Sequence, residues 1–542
     1  MTEAGAARRD DEWYDQVGME DIFLTAPPGC GKTEGIAKYV AHLLEDRQIE
    51  PPAQVLAMTF TSKAVANLGG RIRQGLGGHS RRRIHVTSFH GMAYRLVRAH
   101  ASTVGLDPEI GLPRAGWLSE LRRTVGNEHG VHPSELLKWV RGVKSSAPRE
   151  DEIFDALFDA GGDAAVVYEQ RLRAALRLDF DDALNQACRI LGVEEVGMMY
   201  RARFRMTIID ESQDLSRTQF RMAVALAGGP LLFAGDTAQG IFEFAGAAPG
   251  WVYAQIAQRH PREVRLSTSY RSSPEVLRVV SATSTLLGGE AVTCALPDEW
   301  NGRGHVSVMR SPNTWHEAAS LVELLGPWMA EHPNASVGVM ARVGWRRREF
   351  EAAARDAGWA FEIWDYPIHK PRIVDLLRRH LPMALARAET DEAQMEELWL
   401  LCFEEVGDAD FDTLDDLNEA FDQLRELIGE ARLQGVIHRL RADPHPDAAV
   451  SPGLHVLTGH AGKGQQFDFV VVLGLEQDIL PVYRATTEAD LRAELSVLHV
   501  MVSRARERLI ITVSRDVRSN PDREWLRQES RWLPVIEAAC AP

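Results

Sequence analysis

Missing from these 542 residues is any apolar run long enough to cross a bilayer, and the opening MTEAGAARRDDEWYDQ has no apolar core of the kind a secretory signal needs. No membrane association is expected, and a cytoplasmic location is. Cysteine is scarce: Cys30, Cys188, Cys294, Cys402 and Cys540 lie far apart, with no CxxC pair. That spacing argues against a zinc ribbon or a dithiol redox motif and favours a reducing compartment. The stretch WHEAAS has Ser320 where a zinc-protease helix needs its second His. No internal repeat and no low-complexity tail is present.

What is there is charge, unevenly laid out. A net charge of −16 would repel a polyanion if it were spread evenly. Residues 389–430, however, hold sixteen acids against one Arg and account for −15 alone. Residues 81–149 hold twelve Lys and Arg against five acids, a local +7. Polyanions respond to such patches more than to the total, so nucleic acid stays admissible as a partner.

The length exceeds a single core, and about three or four domains is the size expectation. Short apolar or β-branched runs alternate with helix-period stretches. DIFLTA, QVLAMTF, RIHVTSF, RMTIID and PLLFAGD read as strands, and so do HVSVM, SVGVMAR, GLHVLTGH, FDFVVVLG and RLIITVS. Strands that alternate with helices specify α/β architecture with parallel sheets. Two such domains are predicted, each interrupted once by a mainly helical insertion. The first occupies 1–100 and 200–268 around an insertion at 101–199 that is basic at its start. The second occupies 269–375 and 446–542 around a reduced acidic insertion at 376–445. There Leu414, Leu417, Phe421, Leu424 and Ile428 recur at helical spacing. The acidic 389–430 segment reads either as a solvated face or as the site of a protein partner.

APPGCGKT follows the first predicted strand and opens a helix. Backbone N–H groups at such a turn point at anionic oxygens, and the helix N-terminus adds positive potential. In that pattern Lys32 reaches the outer phosphates and Thr33 ligates Mg²⁺, although Ala26 stands where the full pattern begins with Gly. By itself the turn is also compatible with a surface Lys on a tight bend. TIIDESQD supplies the context: Asp210 and Glu211 end an apolar strand, at the edge where open parallel sheets bind ligands. Asp210 suits a Mg²⁺ partner, and Glu211 suits the orientation or deprotonation of water. Phosphoryl transfer also needs cations against its transition state, and Arg271 and Arg504 offer them from the second half of the chain. A cleft between two domains, closed by ATP, is the arrangement these residues imply.

In this order the motifs resemble those of the UvrD/Rep-type superfamily 1 DNA helicases. APPGCGKT is similar to Walker A and TFTSKAVANLGGRI to TFTNKAAxEMxxR; TSFHGMAYRL is similar to TFHxxxxRL and DESQD to DExxD. AGDTAQGIFEFAGA resembles GDxxQSIYxFRGA, and LSTSYRSSPEVL resembles LxxNYRSxxxIL. LTGHAGKGQQFDFVVVLGLEQDILP resembles TxHxxKGLEFDxVFLxGLxExxFP, and ELSVLHVMVSRARERL resembles ERRLxYVAxTRAxxxL. The resemblance runs over most of the chain and implies RecA-like motor domains that hydrolyse ATP with Mg²⁺ on single-stranded DNA or a single-strand/duplex junction.

The resemblance implies that Pro28, Gly29, Cys30, Gly31, Lys32 and Thr33 hold the phosphates, that Tyr270 stacks on the adenine and that Gln466 meets the ribose. It assigns catalysis to Lys32, Glu211, Gln239, Arg271 and Arg504, with Gln213 and Gln239 coupling the γ-phosphate to the nucleic-acid site. Phe60, His90, Phe242, Phe244 and His460 fall at strand-contact positions, where aromatic stacking tolerates any base sequence. The chain departs from the family pattern at five further places. Asp11 stands where many relatives carry an adenine-reading Gln, Gln466 replaces a Glu, Ser62 and Ser269 each an Asn, and Ala245 an Arg. Two functions are expected: a motor moving 3′ to 5′ on single-stranded DNA, or a DNA-sensing ATPase subunit of a repair or phage-defence complex with little unwinding of its own.

Overall fold

The computed structural model describes residues 10–541 apart from 47, 61, 77–82, 114–116, 147–149, 242–245, 365–370, 407–416, 418–419, 422–423, 425–431, 440–449 and 521–522. Phe242, Phe244, Ala245, Leu414 and Ile428 lie outside the described residues. Among the described residues no helix is long and apolar enough to cross a membrane.

The first sheet contains β1 (Ile22–Thr25), β2 (Gln54–Thr59), β3 (Ile84–Ser88), β4 (Phe204–Ile209), β5 (Leu231–Gly235) and β6 (Arg262–Arg265) in the order β3-β2-β4-β5-β1-β6. Every pairing in it is parallel. Central strands such as β5, LLFAG, are buried at every residue, as a sheet covered on both faces requires. β6, REVR, escapes an apolar-run search because it is a charged edge strand that pairs only with β1.

A two-stranded ribbon, β7 (Thr268–Ser269) and β8 (Thr293–Cys294), leads into the second sheet. That sheet comprises β9 (His305–Asn313), β10 (Ser336–Ala341), β11 (Phe361–Ile363), β12 (Gly453–Thr458), β13 (Phe467–Leu473), β14 (Ala505–Asn520) and β15 (Arg523–Leu526). Six strands run parallel in the order β11-β12-β10-β13-β14-β9, and β15 returns antiparallel along the far end of β14. The α/β architecture of two RecA-like sheets predicted from the strand runs is the architecture observed.

Helices Trp117–His129, Pro133–Ser145 and Ile153–Ala174 share a core of their own around Val125, Leu136 and Leu157. Helix Phe180–Gly192 instead lays Leu184, Ala187 and Leu191 into the core of the first sheet beside Phe89 and Phe204. In the second insertion, Leu417, Phe421 and Leu424 are buried with Leu377 and Leu398, on the face their spacing defined.

Lys144 belongs to the basic stretch but not to a basic surface. It is fully buried, with Nζ 2.7 Å from Glu169, 2.7 Å from Asp179 and 2.8 Å from Asp182. Replacing it leaves three carboxylates without their cation. Lys144→Met is expected to lower unfolding free energy by about 3–5 kcal/mol in denaturant titration, the cost of an unpaired buried charge. A loss near zero would mean that the acids simply bind protons.

Candidate nucleotide site and strand-contact edge

In both sheets the candidate residues follow the carboxyl ends of parallel strands. Lys32 follows β1, Asp210 follows β4 and Asp236 follows β5, and these three strands are neighbours. Phe60 and His90 follow β2 and β3, farther along the same edge, and His460 follows β12 in the second sheet. Loops at this edge carry ligands because helix N-termini and free backbone groups converge there.

The loop after β1 turns through Gly29 (φ 81°) and Gly31 (φ 79°), and Gly31 caps helix Lys32–Glu45. Left-handed backbone favours glycine at these two positions. Ala26 needs no glycine: its φ is not positive, it is buried, and its N–H donates to Gly235 O at 3.0 Å. A Cβ on Gly29 would fall 2.5 Å from Arg271 Cβ and 2.6 Å from Ser269 Oγ. Gly29 is thus the point where the loop admits the second domain, and Gly29→Ala is expected to raise the KM for ATP by roughly tenfold or more. Equilibrium nucleotide binding checks this, and unchanged affinity would refute it. Cys30 is buried, so packing shields its thiol.

Lys32 Nζ lies 2.9 Å from Asp210 Oδ1 and 2.6 Å from Glu211 Oε1. Thr33 is half-buried in the same helical turn. Glu211 adopts φ 57°, ψ 45°, left-handed backbone in a non-glycine residue and a sign of strain held by its surroundings. Burial works against its charge, but the ammonium groups of Lys32 and Lys463 and hydrogen bonds from Lys32 and Gln213 outweigh it. The Glu211 carboxyl is brought down to about 2. Burial raises Asp210, and Lys32 only partly offsets this.

Beyond the acids a run of polar contacts leads across the cleft. Gln213 Nε2 donates to Glu211, and its Oε1 accepts from Asp236 N at 3.2 Å. Gln239 Nε2 donates to Asp236 Oδ2 at 2.8 Å, while Gln239 Oε1 accepts from Arg504 Nη2 at 3.1 Å. Arg504 is buried, and its other hydrogen bonds go to Val500 O, Gln465 O and Ser503 Oγ, all neutral. Burial, reinforced by repulsion from Arg271, lowers its proton affinity. Burial lowers that of Arg271 as well. A buried guanidinium such as that of Arg504 is suited to an incoming anion.

Tyr270 N donates to Gly29 O at 3.1 Å, which sets its half-exposed ring beside the phosphate loop. A cavity of about 260 Å³ extends from Tyr270 and Arg271 toward Leu296, Trp300 and Arg506. Gln466 is exposed immediately before β13. Lys463 Nζ crosses to the first domain, 2.5 Å from Asp214 Oδ2 and 2.8 Å from Gln239 O. Lys463, Asp214 and Asp236 are not among the candidates the sequence yields, although they lie inside GHAGKG, DESQD and AGDTAQ, and those motifs are the signal that could have found them.

The strand-contact candidates form a looser set. Phe60 is half-buried. His90 packs edge-on against Phe180 at 5.7 Å, and burial together with Arg141 pushes its imidazole down to about 4. His460 is brought to about 4 by burial, then by Arg342 and Lys463. Both imidazoles are therefore neutral at physiological pH.

Residues 16–258 match the UvrD/REP helicase N-terminal domain, and residues 384–516 match the UvrD-like helicase C-terminal domain. The chain is 24% identical to ATP-dependent DNA helicase UvrD1 of Mycobacterium tuberculosis over an alignment covering 95% of this chain and 83% of that protein. It is 26% identical to UvrD2 of the same organism, covering 95% and 79%. DNA helicase II of Escherichia coli is 25% identical over 77% of this chain and 60% of its own. With both halves of the motor matched and the phosphate loop, the paired acids and the cross-domain arginine brought into one cleft, the chain belongs to the UvrD/Rep helicase family of ATP-hydrolysing enzymes.

Proposed function

We propose that this chain hydrolyses ATP with Mg²⁺ to move 3′ to 5′ along single-stranded DNA, within the domain division set out from the sequence. The observation that supports it most is the polar run from Lys32 and Glu211 through Gln213, Asp236 and Gln239 to Arg504, which joins the two domains. In this reading Pro28 to Thr33 and the Lys32 ammonium hold the phosphates, while Thr33 and Asp210 hold the divalent cation, which neutralises phosphate charge. Glu211 takes the proton of the attacking water, and Arg271 and Arg504 face the charge that develops in the transition state. Tyr270 stacks on the base and Gln466 reaches the ribose. Phe60, His90, His460 and, outside the described residues, Phe242 and Phe244 meet the strand.

Lys32 has a second effect. While it contacts Glu211 it holds that carboxyl at about 2 and makes it a weak base. Moving Lys32 onto phosphate oxygens removes a charge and a hydrogen bond, so Glu211 gains proton affinity once ATP is seated. The direction of movement is tested by displacement of a labelled oligonucleotide from duplexes with a 3′ or a 5′ single-stranded tail. Displacement with the 3′ tail alone supports the reading, and displacement with the 5′ tail alone reverses it.

The acidic 389–430 segment favours a second reading, a DNA-sensing subunit that meets a protein partner there. Carboxylates repel a phosphate backbone, because DNA affinity is largely electrostatic. Helix Asp391–Val406 buries Leu398 and Cys402, so charge is best removed by substitution rather than deletion. Glu389→Gln, Glu392→Gln and Glu396→Gln together are expected to leave or raise single-stranded DNA affinity in fluorescence anisotropy. A marked loss would place this face on the DNA.

A further inference from the structure

His499, at the end of helix Glu488–Val502 in the second domain, is completely buried. Its Nδ1 lies 2.9 Å from Thr283 Oγ1 on helix Pro274–Leu286. Its Nε2 points across the domain boundary to Asp236 Oδ2, 3.9 Å away, and makes no hydrogen bond among the described residues. A buried polar atom without a partner is costly, and here a carboxylate stands about one ångström beyond hydrogen-bonding reach.

The hydrogen inventory at Thr283 includes an arrangement that puts an N–H on that nitrogen. The Thr283 hydroxyl has one hydrogen and three acceptors in range: Val279 O at 3.1 Å, Val280 O at 3.0 Å and His499 Nδ1. If it donates to Nδ1, the neutral ring carries its hydrogen on Nε2. With that donation an N–H faces Asp236. Asp236 in turn accepts from Ala238 N at 2.9 Å and Gln239 Nε2 at 2.8 Å, and Gln239 accepts from Arg504.

We propose that His499 is a positioning residue for ATP hydrolysis, a latch whose Nε2–H reaches Asp236 as the cleft tightens and so fixes Gln239 against Arg504. The shift required is small, and it turns an unpaired donor into a charge-assisted bond between the domains. His499 touches no phosphate in this scheme and acts through Asp236 and Gln239. The inference rests on the reading of Arg504 as a cation for the transition state.

Two polar substitutions separate the latch from packing. His499→Asn places an amide near Nδ1, within reach of Thr283 but short of Asp236. His499→Gln places one near Nε2. DNA-stimulated kcat is expected to fall roughly tenfold in His499→Asn and to recover largely in His499→Gln, with the KM for ATP within about twofold in both. Equal turnover in the two variants overturns the proposal, whether both are impaired or both match wild type. A second readout needs no turnover: energy transfer between fluorophores at exposed Glu45 and Glu331 on adding a non-hydrolysable ATP analogue. The latch predicts less closure in His499→Asn than in wild type or His499→Gln, and identical responses overturn it. Wild type that closes on the analogue yet shows no DNA-stimulated turnover would count against the motor reading while leaving the latch to this second measurement.

Discussion

Glu211→Gln is expected to lower DNA-stimulated ATP turnover by roughly 10²–10⁴-fold while leaving ATP affinity nearly unchanged. The substitution keeps the side-chain shape and removes the proton acceptor. Lys32 loses one of two carboxylate partners but keeps Asp210 at 2.9 Å. Steady-state hydrolysis with and without single-stranded DNA, together with equilibrium nucleotide binding, checks both halves. A variant with near-wild-type kcat would remove Glu211 from the chemistry. The carboxyl sits at about 2 in the folded chain, below an ordinary Glu near 4.3. A depressed folded value contributes stability above the unfolded value, and this stability is lost as pH falls through the folded value. Glu211→Gln should therefore weaken the resistance to unfolding at neutral pH relative to wild type, with the difference disappearing between about pH 4 and pH 2.

Arg504→Ala is expected to cost roughly 10³-fold or more in kcat, the scale of an arginine aimed at a transferring phosphoryl group. Its guanidinium is buried among neutral partners, so its removal does not strand a buried carboxylate. The thermal midpoint should accordingly change little, which separates a catalytic loss from unfolding. Arg504→Lys keeps the charge without the planar fork that reaches Gln239 and Ser503 together, and an intermediate rate is expected. A kcat within a few-fold of wild type for Arg504→Ala would make the residue a packing element of the domain interface.

The same interface shows how far local pattern carries. The ten apolar runs read as strands correspond to strands in the two sheets, and in central strands such as β5 and β10 burial on both faces leaves a continuous apolar signature. The short, charged β6 and the three-residue β11 carry no such signature, since edge position relaxes the need for burial. Lys32, Asp210 and Glu211 were legible because each follows a recognisable strand within a few residues. Lys463 lies within the LTGHAGKGQQ stretch, but its role is not legible there, because its partner Asp214 lies 249 positions away.

Sequence by itself determined where along the chain the candidate residues fall. A strand, a tight turn and a helix are local structures, and the residue types at their junctions follow from backbone conformation and charge. Tertiary structure decided which of those sites meet. It put Lys144 inside a carboxylate cage rather than on a basic face, drew Arg504 to Gln239 and left His499 Nε2 facing Asp236. Such pairings depend on how two sheets and their helices pack, and spacing along the chain carries no record of a distance fixed by packing.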